Sequence, residues 1–144
     1  MRVMIAGADY GTLSRLKSYL TKLGHVASIA SNGAECKSGL CEFAPDLVVM
    51  ELDIFWSGYE GVMSALLEDS HMNDVPIVFY TEAHKELRLE PYPRVIARIE
   101  HSFHPKDLSR LRDLLDNLEL ARVVNALAPQ VNGEWTTTCP SLTT

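Results

Sequence analysis

Glu51 and Asp53 close the run Leu47-Val48-Val49-Met50, and their placement suggests chemistry more than that of any other acids in the chain. Four apolar residues rich in β-branched valine, opened by Pro45-Asp46 and ended by acids, have the pattern of a strand buried on both faces. Side chains two apart on a strand share a face, so the two carboxylates would project together. Open α/β sheets do their chemistry at the carboxyl ends of central strands, which is where this pair falls. Other reactive groups are less well placed. His101 and His104 are three apart beside Glu100, a spacing that admits a metal site, but no third ligand is marked and loop histidines beside a helix start account for them. Trp56 and Tyr59 lie next to the acids and could cover a pocket, although packing on the following helix explains them more simply. A hydrolase pairing of Glu51 with a histidine has no support from a Gly-x-Ser-x-Gly elbow, a Gly-x-Gly-x-x-Gly loop or a Walker-type lysine.

The elements that must position these acids can be read along the chain. Residues 3–6 (VMIA) form a short apolar run stopped by Gly7-Ala8-Asp9-Tyr10-Gly11, a first strand and its loop. Leu13, Leu16, Leu20 and Leu23 recur at helical spacing, and Gly24 is placed to end that helix. Residues 25–30 (HVASIA) read as a second strand. Asn32 is the N-cap of a second helix with Cys36, Leu40 and Phe43 on its apolar stripe, ended by Pro45. Ser57-Gly58-Tyr59-Glu60 fits a capping box, and Val62, Met63, Leu66 and Leu67 then face the core from a third helix. Residues 75–80 (VPIVFY) and 95–100 (VIARIE) predict two further strands, with Pro91 and Pro93 breaking any helix between them. Pro105 opens the longest helical pattern, with Leu108, Leu111, Leu115 and Leu118 on one face. Strands alternating with helices predict an α/β fold, a doubly wound five-stranded parallel sheet. One domain over 1–127 is expected, followed by a loose tail over 128–144.

Composition narrows the function. The chain has 144 residues, 47% hydrophobic and 22% charged, enough for one sizeable core. A net charge of −6 argues against nucleic-acid binding through a basic face. No run approaches the roughly 20 apolar residues of a membrane span, and the amino terminus has no secretory pattern. Cys36, Cys41 and Cys139 lack metal-ligand or redox spacing and read as reduced thiols of a cytoplasmic protein.

The order of elements, with Asn32-Gly33, the run from Pro45 to Val49, the stretch from Asp53 to Gly61, Thr81, and Phe103 with Pro105, resembles the receiver domain of two-component response regulators over about residues 2–120. The resemblance implies a flavodoxin-like fold and transfer of a phosphoryl group from a histidine kinase to an aspartate ending the third strand, with Mg²⁺. It also shows departures. The two metal-holding acids after the first strand align with Gly7 and Ala8, leaving only Asp9. The lysine after the fifth strand aligns with His101, and its following proline with Ser102; Thr81 alone matches the hydroxyl position. Counted from Asn32 and Pro45 the phosphoacceptor position falls on Glu51, and counted back from Gly61 it falls on Asp53. A two-residue insertion is absorbed more easily in the loop than in the buried strand, which favours Glu51.

These departures predict a stand-alone pseudo-receiver, not an enzyme, that works by protein contact and needs no cofactor. Expected partners are a histidine kinase, a phosphotransferase or another regulator, with neither nucleic acid nor membrane. Residues 85–94 (KELRLEPYPR) replace the fourth helix that in receivers helps form the partner face. Leu118, Val123, Val124 and Leu127 extend the last helix's apolar pattern and would suit either a homodimer or the chain's own core. Two alternatives remain open: a phosphorylation-competent receiver using Asp53 with Asp9, Thr81 and Mg²⁺, and a flavodoxin-like domain for a small ligand.

Overall fold

The computed structural model describes residues 1–52, 54, 58–81, 95–100 and 103–132, without the side chains of 58, 59 and 128–132. The chain divides into two compact units, Met1–Asp107 and Leu108–Thr144. The first holds β1 (Arg2–Ala6), α1 (Tyr10–Lys22), β2 (Val26–Ala30), α2 (Gly33–Phe43), β3 (Leu47–Glu51), α3 (Gly58–Glu68), β4 (Ile77–Thr81) and β5 (Val95–Glu100). All five strands run parallel in the order β2-β1-β3-β4-β5. That order reverses between β1 and β3, so the crevice at the carboxyl ends of these two strands is the natural site position.

Strand periodicity sorts the core into two layers. Met4, Ala6, Val48, Met50, Ile77 and Phe79 share one cluster with Cys36 and Leu40 of α2 and Val62, Met63 and Leu66 of α3. Val3, Ile5, Leu47, Val49, Val78 and Tyr80 occupy the alternate positions and are also buried, as are Leu13, Leu16 and Leu20 of α1. The near-continuous apolar runs of β1, β3 and β4 follow from this two-sided burial.

Element ends show which local bonds won. His25 N–H donates to Leu20 O at 3.0 Å, so β2 starts one residue later than the apolar run suggests. Val75 N–H donates to Met72 O in a turn, and β4 begins after Pro76 and runs on through Thr81. Leu67 was expected on the core face of α3 but is exposed, the buried stripe being Val62, Met63 and Leu66. α2 ends at Ala44, which takes a left-handed conformation (φ 50°) one residue before Pro45. The connection onward is clamped by Arg2, whose N–H and Nε donate to Asp46 Oδ2 and Phe43 O, with the guanidinium 4.4 Å over the Phe43 ring. Val78 pairs with Ala97 while Ile77 pairs with Val95, so β5 bulges at Ile96.

α4 (Pro105–Asn132) provides the described part of the second unit and continues past Leu127, where a loose tail was expected, to Asn132. Among the described residues no helix is long and apolar enough to cross a membrane.

Candidate functional site

Glu51 is the last residue of β3, and one carboxylate oxygen accepts a hydrogen bond from Ala8 N–H at 2.9 Å. The side chain therefore reaches across the sheet's switch point to the loop after β1. The partner of Glu51 on β4 is Tyr80, and paired residues of parallel strands project to the same face. Tyr80 is fully buried, donates its hydroxyl to Ala6 O at 3.2 Å, and packs edge-on against Phe103 with centroids 5.1 Å apart. Burial, then the charges of Glu51 and Asp9, hold its phenol well above the ordinary tyrosine range. The hydroxyl is thus a neutral donor set among acids.

This tyrosine explains Gly7. A Cβ built at position 7 would fall on the Tyr80 hydroxyl oxygen and lie 3.1 Å from Tyr80 Cζ. Any side chain there, a carboxylate included, would require the Tyr80 hydroxyl and the end of its ring to shift. Position 8 carries alanine, whose amide is already committed to Glu51. The remaining acid of the loop, Asp9, caps α1: Oδ1 accepts from Gly11 N–H at 3.2 Å and Oδ2 from the Thr12 hydroxyl at 2.7 Å. Among the described residues no group of three His, Cys, Asp or Glu side chains could hold a metal ion.

Thr81 ends β4, is 2% exposed, and its hydroxyl finds no hydrogen-bond partner among the described residues. An unpaired buried hydroxyl costs about 1–3 kcal/mol, so it marks a place where a polar group from elsewhere would be welcome. Phe103 takes a left-handed backbone (φ 49°) after β5, which carries its ring to Tyr80; His104 is exposed at the start of α4, its N–H donating to Asp107 Oδ2 at 3.2 Å. Asp53, Trp56, Ser57, the 85–94 segment, His101, Ser102 and Cys139 lie outside the described residues, as does the side chain of Tyr59. The structure thus brings together Glu51, Ala8, Asp9, Gly7 and, unforeseen from sequence, Tyr80. The one signal in the sequence was Gly7 itself, an oddly small residue at the mouth of an α/β crevice.

No protein-family model matches the chain, and no curated protein matches it in sequence. Solved structures do match in fold. A response regulator from Desulfuromonas acetoxidans is 19% identical with a TM-score of 0.67, over 81% of this chain and 98% of that one. The N-terminal domain of a response regulator receiver protein from Methanoculleus marisnigri JR1 is 18% identical with a TM-score of 0.61, over 81% and 94%. The chemotaxis protein CheY4 of Vibrio cholerae is 14% identical with a TM-score of 0.65, over 78% and 95%. Together with the strand order, these likenesses define the class: the chain has the flavodoxin-like fold of response regulator receiver domains.

Proposed function

We propose that this chain is a pseudo-receiver of two-component-type signalling, a non-enzymatic module that acts by binding another signalling protein without Mg²⁺-dependent aspartyl phosphorylation. The observation that carries the reading is the interlock of Gly7 with Tyr80: the ring fills the space a cation-holding carboxylate would need. Glu51 supports it, as a fixed negative charge tied to Ala8 in the crevice where an aspartyl phosphate would develop. Without a cation, attack of a carboxylate on a phosphoryl donor would bring like charges together uncompensated. The module then has one charge state and signals by its presence and shape, to a histidine kinase, a phosphotransferase or another regulator.

The test is incubation of the intact protein with a small acyl phosphodonor and Mg²⁺, followed by intact-mass measurement. No phosphoryl adduct is expected. A stoichiometric adduct, stable in acid and labile in base, would overturn the reading.

A second reading is kept by the unpaired Thr81 hydroxyl, which a phosphoryl oxygen could satisfy. In it Asp53 accepts the phosphoryl group, assisted by Asp9 and Thr81. Asp53→Asn then abolishes labelling while Glu51→Gln leaves it intact.

A further inference from the structure

We infer that the outer edge of β2, with the groove beside α2, takes up an extended basic segment of a partner protein as a further strand of the sheet. β2 stands first in the strand order and, among the described residues, pairs with β1 alone. Two bonds fix which of its backbone groups are used. Val26 N–H donates to Met1 O, and Ala30 O accepts from Gly7 N–H, both at 3.0 Å. In a parallel pair alternate residues bond to a given neighbour, so Val26, Ser28 and Ala30 face β1. Ala27 and Ile29 therefore turn their N–H and C=O groups outward, away from the sheet. Proteins commonly blunt such an edge with charge, proline or a bulge. β2 reads Val-Ala-Ser-Ile-Ala, with neither charge nor proline, and keeps an unbroken register with β1.

The face above this edge says what kind of strand fits. Paired residues of parallel strands project to the same side, so Ser28 and Ala30 lie with Met4 and Ala6 on the side of α2. Toward them α2 turns Glu35, Ser38, Gly39 and Glu42, with no large apolar group among these four. Because both walls are built from short or polar side chains, a groove of about 520 Å³ is left between helix and edge. Glu35 and Glu42 are both exposed and stand two turns apart, about 10 Å along the helix. The Ser31 hydroxyl holds Glu35 at 2.7 Å. Arg2, at the other end of the groove, is committed to the Phe43 carbonyl and ring.

An added strand would bond to the outward groups of Ala27 and Ile29 through its own backbone, the mode of strand addition. Every second side chain of that strand would then stand along α2, within reach of the two carboxylates. Lysine or arginine at those positions complements them, and a chain charge of −6 favours the approach of a basic segment. A second copy fits less well, because β2 itself carries no cation with which to answer Glu35 and Glu42. Neither edge nor groove includes Glu51 or Tyr80, so the inference does not rest on the phosphorylation reading.

The probe is a capped peptide of about eight residues, alternating lysine with threonine, titrated into the isotope-labelled whole chain and followed by amide resonances. Saturable shifts at Ala27 and Ile29 are expected. Glu35→Gln with Glu42→Gln should weaken binding about tenfold. Ala27→Pro should abolish it, since it removes an outward N–H that β1 does not use. Circular dichroism checks that this variant keeps its fold, and if it does not, the glutamine pair on the helix surface carries the test. Unmoved amides at millimolar peptide overturn the proposal, as does equal binding of the same peptide with glutamate in place of lysine. Shifts at Ala27 and Ile29 that follow protein concentration alone give the edge to a second copy and overturn it too.

Discussion

At the scale of single residues, Gly7 and Tyr80 act as one unit. A residue with a Cβ at position 7 must displace a fully buried ring, and overpacking of that kind costs about 1–3 kcal/mol. Gly7→Ala is therefore expected to destabilise the chain by that amount, read from urea unfolding. Combined with Tyr80→Val, which vacates the space, its added cost should fall close to zero, giving a coupling energy of about 1 kcal/mol or more in a double-mutant cycle. Simple additivity of the two substitutions would mean that the ring is not held where the Cβ must go. Thr81 is the contrasting residue, a buried hydroxyl whose satisfaction would have to come from a group not among its described neighbours.

At the scale of elements, α1 depends on its cap. Asp9 accepts from both an amide and a hydroxyl of the first turn, and α1 has no other acid there. Replacing a capping aspartate by alanine costs about 0.5–2 kcal/mol, whereas asparagine caps almost as well. Asp9→Ala is expected to lower the thermal midpoint and Asp9→Asn to leave it nearly unchanged. Were Asp9 instead holding a cation, asparagine would be as damaging as alanine, and addition of Mg²⁺ would widen the difference from wild type. α2 follows the same logic at Asn32, whose side chain accepts from Glu35 N–H at 2.8 Å.

At the scale of the whole molecule, two buried weak acids that hold their protons tightly make stability fall as pH rises. Burial, and secondarily the Glu35 charge, push the Cys36 thiol up from 9.0 to about 12. Tyr80 is raised as well, by burial first and then by Glu51 and Asp9. Both groups hold their protons more tightly folded than unfolded, so the unfolded chain releases them first as pH rises. Their contribution is complete below about pH 9 and declines as pH climbs toward 12 for Cys36 and from about 10 upward for Tyr80. Urea midpoints measured against pH should fall over this alkaline range, and Cys36→Ala should flatten the early part of the decline. An unchanged slope in that variant would remove the thiol from the account. The same burial predicts that a thiol reagent reaches the exposed Cys41 before Cys36.

Much of the fold was legible because it is written in local periodicity. The valine-rich run before Glu51, the leucines of α1 and the cap at Asn32 each carry their instruction within a few residues, and alternating strands and helices admit few topologies. The places where bounds moved, at His25 and Val75, are ones where a single turn bond decided the end of an element. The acids were likewise visible, and so was the absence of carboxylates at Gly7 and Ala8. What fills that absence was not. Tyr80 bonds to Ala6 across 74 residues of chain, and on its own strand it looks like any apolar residue of a buried run. Only the parallel pairing of β3 with β4, and of β1 with β3, sets its hydroxyl beside Glu51 and over Gly7, because contacts between distant strands depend on register and not on spacing.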